Sequence, residues 1–455
     1  MKRKISRRGL CIAAAAVLAG LLPTRTASSP DPVTDGPAAS ETLFRKVRVL
    51  DVVNGRLSAP TDVLIAGSHI SKIGNGIAPG KTVKIIEGHG RTLMPGLIDV
   101  HVHLTFGALT MPQMLSPDLT PKAAEEAAGR QAREMLLRGF TAVRDAGGPI
   151  FGLKRRIDSG ELVGPRIWPS GAVISQTSGH GDFRLPTERS RKFGGTISRS
   201  ELFDANFIAD GTDEVLTAVR ENLRFGASQI KLMAGGGTSS EYDPIDVTQY
   251  TFAEMKAAVD AAEDWNTYVM VHAYTARAVR RAIEAGVKCI EHGQLLDEDT
   301  LKLMAQKGIW LSSQILSEDN PNVDPRRREK RRDILANTPR IWKTAKRLGV
   351  KLAWGTDFLF DPPLNAEQND YLLRLRQWFT SAEILKLVTY DNAELLALSG
   401  PRSPYSGKLG VVAEGELADL ILVDGDPLAR IDLLGDPARN FDVIMKDGKI
   451  YKGGK

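Results

Sequence analysis

The chain is 455 residues long, with 42% apolar, 25% charged and 6% aromatic residues. These fractions are ordinary for a folded soluble protein, and they exclude general disorder, a collagen-like chain and a disulfide-stapled scaffold. The net charge is +5, but the first 28 residues hold six cations and no acid, so the remainder carries −1. Because a nearly neutral chain has no electrostatic footprint for nucleic acid, we predict no nucleic-acid partner.

The N-terminal residues have the features of an export signal. A basic stretch precedes the 13-residue apolar run Leu10–Leu22, which is shorter than the ~20 residues that span a bilayer. We therefore predict a signal peptide over residues 1–28, followed by a linker over residues 29–41, and no stable membrane span. Ser6-Arg7-Arg8-Gly9-Leu10 resembles a twin-arginine signal, which predicts export to the periplasm. The alternative is a chance arginine pair in an ordinary secretion signal.

Short β-branched runs alternate with glycine-containing turns near both ends of the chain. Val83–Glu87 is one such run in the N-terminal part, and Leu420–Val423 is one in the C-terminal part. Runs of this kind are typical of strands. The sequence therefore predicts one β-sandwich domain built from residues 42–94 and 407–455.

Strand-like and helix-like segments alternate over residues 95–406. Eight strands are predicted: Leu97–Leu104, Thr141–Asp145, Arg166–Gly171, Gln229–Ala234, Tyr268–Ala273, Lys288–Gly293, Trp310–Ser313 and Lys351–Asp357. The last predicted helix between them is Pro339–Leu348, with Thr338 as its N-cap. Repeated strand–helix units favour parallel strands, and the span is close to the ~250 residues of an eightfold barrel. The predicted fold class is therefore α/β, a (β/α)8 TIM barrel with the β-sandwich beside it.

Four of the seven histidines lie at the carboxyl ends of predicted barrel strands, where barrel active sites are built. His101 and His103 end the first strand, and the two-residue period of a strand puts both rings on one face. His272 and His292 end the fifth and sixth strands. Neutral imidazoles held side by side bind a borderline metal such as zinc. For the first pair alone, two histidines in a solvated strand end would be the alternative.

Two charged residues also lie on predicted strands of the central part. Lys231 lies between Ile230 and Leu232 on the fourth strand, and Asp357 ends the eighth. A lysine is almost never fully buried without a partner. Lys231 is therefore either part of a structural salt bridge or carbamylated by carbon dioxide, which would turn it into a carboxylate able to bridge two metal ions.

Together these residues resemble the amidohydrolase superfamily with a binuclear metal centre. The resemblance covers residues 43–455 and includes the flanking β-domain. Three motifs are similar to those of Xaa-Pro dipeptidases and acyl-amino-acid carboxypeptidases, a branch that includes ochratoxin-hydrolysing amidases. The motifs are Ile230-Lys231-Leu232-Met233, His272-Ala273-Tyr274 and Ser178-Gly179-His180-Gly181.

The resemblance implies a role for each of these residues. Two divalent metal ions, expected to be zinc, would be held by His101, His103 and Asp357 at one site and by His272 and His292 at the other, bridged by carbamylated Lys231 and a hydroxide. Asp357 would also transfer the catalytic proton, and Tyr274 would polarise the substrate carbonyl. His180 would contact a substrate carboxylate. The alternatives are a rim aromatic for Tyr274 and a mobile loop residue for His180.

The predicted function is that of an exported, metal-dependent amidohydrolase. It would cleave the amide bond next to a free-carboxylate L-amino acid in a dipeptide, an N-acyl amino acid or an ochratoxin-type amide, and it would act as a homo-oligomer. One alternative is hydrolysis of a cyclic amide or lactone, as in imidazolonepropionase, a group that lacks the bridging lysine. Another is a non-catalytic barrel that serves assembly, which the presence of all six ligands argues against.

Two further features are interpreted from charge. Arg144 and Asp145, at the end of the second strand, are predicted to form an ion pair at the barrel mouth. The charged run Arg326–Arg332 is predicted to form a solvated helical face, with attraction of an anionic substrate as the alternative. The loop after the eighth strand reads Asp361-Pro362-Pro363-Leu364-Asn365 instead of carrying the His-Gly pair of many relatives.

Overall fold

The computed structural model of the chain describes residues 41–78, 80, 82–316 and 325–453. The predicted signal peptide lies outside the described residues, and so does the predicted linker up to residue 40. Among the described residues, no helix has both the length and the apolar character needed to cross a membrane.

The described chain contains nineteen strands and fourteen α-helices. The strands are β1 (Glu41–Asp51), β2 (Arg56–Leu57), β3 (Thr61–Ala66), β4 (His69–Gly74), β5 (Val83–Glu87), β6 (Thr92–Pro95), β7 (Leu97–Val102), β8 (Phe140–Asp145), β9 (Arg166–Pro169), β10 (Val173–Ser175), β11 (Asn206–Ile208), β12 (Ile230–Met233), β13 (Val269–Thr275), β14 (Cys289–Leu295), β15 (Trp310–Ser313), β16 (Lys351–Trp354), β17 (Leu420–Val423), β18 (Phe441–Lys446) and β19 (Lys449–Gly453). The α-helices are α1 (Leu104–Gly107), α2 (Met111–Leu115), α3 (Pro121–Leu137), α4 (Phe151–Asp158), α5 (Arg199–Leu202), α6 (Thr212–Phe225), α7 (Phe252–Asp264), α8 (Ala276–Ala285), α9 (Glu298–Lys307), α10 (Pro325–Leu348), α11 (Gln368–Leu373), α12 (Ser381–Lys386), α13 (Asn392–Leu396) and α14 (Pro437–Asn440).

Strands from both ends of the chain join one sheet. Its order is β19-β18-β17-β6-β1-β3-β4, with β2 and β5 also paired to β1. The two parts are joined by β6 and β17, which pair antiparallel, with Leu420 opposite Pro95 and Val423 opposite Thr92. Alternate residues of these strands are apolar and pack into one core around Phe44 and Leu422. The association of both termini is therefore observed, whereas their folding into a two-sheet sandwich stays a prediction.

The central part of the chain forms two parallel sheets. One has the order β7-β8-β9 and the other β11-β10-β12-β13-β14-β15-β16. All eight predicted strands are present. The third, predicted over Arg166–Gly171, is β9, and two strands that were not predicted, β10 and β11, follow it. Gly171 has φ 77°, a left-handed conformation that glycine adopts without steric cost. The central fold is therefore α/β with parallel strands, as predicted.

The end of β16 lies against β7, although no hydrogen-bonded ladder joins these two strands within the described ranges. The backbone amide of Asp357 donates to the carbonyl oxygen of His101 at 2.8 Å. This approach requires Gly355, because a Cβ atom there would lie 2.4 Å from the backbone nitrogen of His101. The contact brings the carboxylate of the eighth predicted strand to the histidines of the first.

The helix before β16 corrects one prediction. The predicted helix Pro339–Leu348 is only the last part of α10, so Thr338 is not its N-cap and Pro339 lies inside the helix. Thr338 Oγ instead donates to the carbonyl oxygen of Ile334 at 2.8 Å. The buried residues Ile334, Ile341 and Trp342 continue at helical spacing across the proline. Their packing outweighs the hydrogen bond that proline cannot make.

Candidate active site

The histidines of β7 converge on the carboxylate that follows β16. His101 Nε2 and His103 Nε2 each lie 3.3 Å from Asp357 Oδ1. Ligand atoms of these three residues all lie within 4.8 Å of one another. The two-residue spacing therefore places both rings on the same side of the strand, as expected for a shared metal site.

Hydrogen bonds fix which nitrogen of each ring faces Asp357. His101 Nδ1 lies 2.7 Å from Glu291 Oε2, and His103 Nδ1 lies 2.8 Å from the carbonyl oxygen of Gly147. With Nδ1 held in this way, Nε2 of each ring is turned toward the carboxylate. Carboxylate and carbonyl partners of this kind set the tautomer and orientation of metal-binding histidines.

The other two strand-end histidines lie beside this group. The ring centroids of His272 and His292 are 4.3 Å apart, and His292 Nδ1 is 3.9 Å from Asp357 Oδ2. His272 Nε2 donates to the carbonyl oxygen of Gly236 at 3.0 Å. His292 Nδ1 is buried and has no hydrogen-bond partner among the described residues. A buried nitrogen without a partner is costly unless it binds a further group.

The local backbone and the electrostatics agree with a metal-binding role. Asp357 and His292 have φ angles of 55° and 77°, strained values for residues other than glycine. Burial lowers the pKa of His272 and of His292 well below the ordinary value. Burial alone would raise the pKa of Asp357, but the neighbouring histidines hold it well below its usual range. Neutral imidazoles beside an ionised carboxylate fit a divalent cation.

Lys231 lies in the interior of β12 beside these ligands. It is 1% exposed, and its Nζ atom lies 3.4 Å from His101 Nε2. Burial lowers the pKa of Lys231. The neighbouring carboxylates of Glu291 and Asp357 pair with His101, and the described residues include no ion pair of Lys231. The salt-bridge interpretation of Lys231 is therefore not what the structure displays.

The four strand-end histidines, Lys231 and Asp357 line one cavity with a volume of about 570 Å³. Its lining also includes Tyr274, His180, Arg327 and Arg331. A model of the amidohydrolase family matches residues 92–453, which include every one of these side chains. The chain belongs to the amidohydrolase family.

Relatives of this amidohydrolase share most of its length. An ochratoxinase from Aspergillus niger is 33% identical over 377 residues, which are 79% of this chain and 76% of the relative. A prolidase structure complexed with N-methylphosphonate-L-proline is 33% identical, has a TM-score of 0.83, and covers 91% of this chain and 100% of its own. A Xaa-Pro dipeptidase structure with bound methionine is 29% identical, with a TM-score of 0.77 and the same two coverages. The amidohydrolase is thus a hydrolase that acts on amide bonds.

His180 and Tyr274 lie on the same side of the amidohydrolase cavity. The His180 ring stacks on His272 with centroids 3.9 Å apart, and Tyr274 stacks on His292 at 5.0 Å. His180 Nδ1 is 2.7 Å from Ser240 Oγ. Burial raises the pKa of the Tyr274 hydroxyl, which therefore keeps its proton at neutral pH and can donate a hydrogen bond.

The structure corrects the predicted ion pair of Arg144 with Asp145. Neighbouring residues of a strand point to opposite faces, so Arg144 of β8 instead donates to Glu291 Oε1 of β14, in the other parallel sheet, at 2.6 Å. Asp145 accepts hydrogen bonds from the backbone amides of Leu104 and Gly147, at 2.8 and 3.1 Å. Glu291 therefore connects Arg144 to His101.

The sequence analysis missed several residues of the cavity. Phe106, Phe183 and Phe360 line it and come from α1 and two separate loops, so no local pattern connects them. Arg327 and Arg331 belong to the run Arg326–Arg332, and their four-residue spacing was the available indication that two of its members share a helix face. The substrate-attraction alternative fits these two arginines better than a wholly solvated face.

Proposed function

We propose that this amidohydrolase uses two divalent metal ions, with zinc as the expected metal, to hydrolyse the amide bond to a free-carboxylate L-amino acid. The substrates would be dipeptides or N-acyl amino acids, including ochratoxin-type amides. The observation that carries the proposal is the convergence of His101, His103 and Asp357 with His272 and His292 in one cavity. The names of the relatives, an ochratoxinase and a prolidase, agree with this substrate class.

The proposed metal sites divide the ligands into two groups. His101, His103 and Asp357 would hold one ion. His272 and His292 would hold the other, His272 through Nδ1, because its Nε2 donates to Gly236, and His292 through its unpartnered Nδ1. A carbamylated Lys231 would supply the bridging carboxylate. When bound, the ions would lower the pKa of a water molecule and polarise the amide carbonyl. We also propose that the two parallel sheets close into one barrel around this centre.

The remaining chemistry belongs to side chains of the chain itself. Asp357 is ionised and would itself be a metal ligand. It would accept the proton of the attacking water and deliver it to the leaving nitrogen. Tyr274 would donate its hydroxyl proton in a hydrogen bond to the carbonyl oxygen as negative charge develops there. His180 would bind the substrate carboxylate, with Arg327 and Arg331 adding positive charge on the lining of the same cavity.

The purified protein should contain about two divalent metal ions per chain, because nitrogen and oxygen ligands for two ions and their bridge face one cavity. Elemental analysis of the active protein measures this directly, and Lys231→Ala provides the comparison for loss of the bridge. Full activity with one ion, or with none, would contradict the binuclear proposal.

Substrates with a free terminal carboxylate should be hydrolysed roughly ten- to a hundred-fold better than their amides or esters. The reason is that a charge-assisted hydrogen bond contributes about 1.5–3 kcal/mol, while the metal ions require only a carbonyl. His180→Ala should raise KM for the free acid and reduce its advantage over the capped substrate, with the metal content unchanged. His69→Ala, on an exposed strand of the terminal sheet, is the matched control. Equal kcat/KM for free and capped substrates would favour the cyclic-amide or lactone alternative.

The proposed localisation rests on the sequence of residues 1–28, which lie outside the described residues. The twin-arginine-like segment supports the proposal that the protein is exported to the periplasm after folding, which would allow metal loading beforehand. We also propose that it functions as a homo-oligomer.

A further inference from the structure

A second cavity lies beside the active-site cavity. It has a volume of about 290 Å³, and we call it the side chamber. Phe106, Phe183 and Phe360 line both cavities and so form an aromatic wall between them. The far side of the chamber includes Leu115 of α2 and Ser200 of α5.

The aromatic wall is one packed unit built from α1 and two loops. The ring centroid of Phe106 is 5.9 Å from that of Phe183 and 5.7 Å from that of Phe360, and the latter two are 6.4 Å apart. Phe106 also stacks on His103, with centroids 5.6 Å apart. The wall therefore begins directly at one of the metal-binding residues.

The two ends of the histidine cluster differ in polarity. At one end His103 meets the aromatic wall. At the other end His272 meets His180, whose Nδ1 lies 2.7 Å from Ser240 Oγ and 3.4 Å from Asp243 Oδ2. An N-acyl amino acid has the same asymmetry, because its carboxylate and its acyl group lie on opposite sides of the scissile bond.

Phe360 is held in the wall by a strained backbone. Its φ of 54° is unusual for a bulky side chain, and its amide donates to the carbonyl oxygen of Phe106 at 3.0 Å. Strain of this kind persists only where the surrounding structure imposes it, and it is concentrated at functional sites. The backbone position from which the Phe360 side chain enters the wall is therefore imposed by the fold.

The two charged residues of the side chamber bond to neighbouring backbone, although Arg199 Nε is buried without a hydrogen-bond partner among the described residues. Glu188 accepts a hydrogen bond from the amide of Leu185 at 2.7 Å, and Arg199 donates to the carbonyl oxygen of Leu119 at 2.8 Å. Phenylalanine, leucine and methionine side chains provide most of the remaining lining. A cavity of about 150 Å³ with an apolar lining holds benzene, so the side chamber has room for a bicyclic ring or a chain of about eight carbons.

We propose that the side chamber binds the acyl half of the substrate and that this half is a large apolar group. This inference rests on the proposed amide hydrolysis and specifies its substrate class. Phe183 and Phe360 are half-buried, and rotation of their rings would connect the chamber to the cavity that holds the scissile bond. Burial of the apolar group then favours long or bicyclic acyl groups over an acetyl group.

The test compares N-acetyl, N-octanoyl and N-(2-naphthoyl) derivatives of one L-amino acid. In the unmodified enzyme kcat/KM should be at least about tenfold higher for the two large acyl groups than for acetyl. Ser200→Phe fills the chamber and should lower this ratio by about tenfold or more. Leu202→Phe introduces the same side chain on the same helix at a residue that is 68% exposed, and it should leave the ratio unchanged. Leu115→Trp fills the chamber from α2 if the first variant does not fold.

Binding to the metal-stripped protein separates the two proposals. Titration calorimetry should give a Kd for the N-(2-naphthoyl) amino acid that rises by about tenfold in a chamber-filling variant and stays constant in Leu202→Phe. If no derivative is hydrolysed but this difference in Kd is found, the proposed function fails and the chamber stands. The chamber assignment is overturned if all derivatives are hydrolysed and each filling variant keeps both the unmodified kcat/KM ratio of large acyl groups to acetyl and the unmodified Kd.

Discussion

Lys231→Ala is expected to lower kcat/KM by about a thousandfold, equivalent to about 4 kcal/mol of transition-state stabilisation, and to release metal from the proposed site of His272 and His292. The reason is the position of Lys231. Its Nζ atom is buried 3.4 Å from His101 Nε2, where a neutral amine can react with carbon dioxide to give a bridging carboxylate. Alanine supplies no oxygen ligand, so the two proposed ions would lose their shared bridge. Metal analysis and steady-state kinetics measure both effects.

Rescue and a matched lysine distinguish a bridge from a structural role. Acetate at high concentration should restore part of the activity of Lys231→Ala, because a carboxylate can then enter the space left by the side chain. Lys446→Ala removes another buried lysine, 7% exposed and in the terminal sheet, and should leave metal content and kcat unchanged. A fully active Lys231→Ala protein would show that the lysine supplies no ligand.

The ends of the central parallel strands were predictable because apolar runs and a two-residue pattern coincide there. The apolar runs locate the strands, and the two-residue period of β7 alone places His101 and His103 on one face. Chain order then brings in the residues at the ends of β12, β13, β14 and β16, since parallel strands end at the same edge. Even the backbone contact of Asp357 with His101 depends on a glycine that the sequence displays, Gly355.

The misjudged features depend on contacts between distant segments. Proline normally ends a helix, but α10 continues through Pro339 because Ile341 and Trp342 extend a buried stripe that begins earlier. The aromatic wall combines α1 with two distant loops, and no local pattern encodes their packing. Arg144 was paired with its chain neighbour, whereas its partner Glu291 lies 147 residues away along the chain.

The buried pair of Arg144 and Glu291 contacts the proposed metal ligands through His101. Both side chains are fully buried, and Arg144 also donates to the carbonyl oxygen of Val100 at 2.6 Å and to the Tyr268 hydroxyl at 3.0 Å. Although burial alone would raise it, Arg144 and His101 hold the pKa of Glu291 well below its usual range. Glu291 therefore stays ionised and can fix the His101 ring through Nδ1.

Arg144→Met should lower the free energy of unfolding by about 3–5 kcal/mol, because it leaves Glu291 as an uncompensated buried charge. It should also weaken metal binding, because Glu291 then fixes His101 less firmly. Urea unfolding of the metal-stripped protein measures the first effect, and competition with a chelator measures the second. Arg166→Met is the matched control, since Arg166 forms a largely buried ion pair with Asp419, at 2.9 Å and with side chains 7% and 1% exposed, outside the cavity lining. A similar loss of stability in both variants, with metal affinity lowered only in Arg144→Met, would identify Arg144 as a positioning residue for the metal centre. Equal metal affinity in the two variants would reduce its role to stability alone.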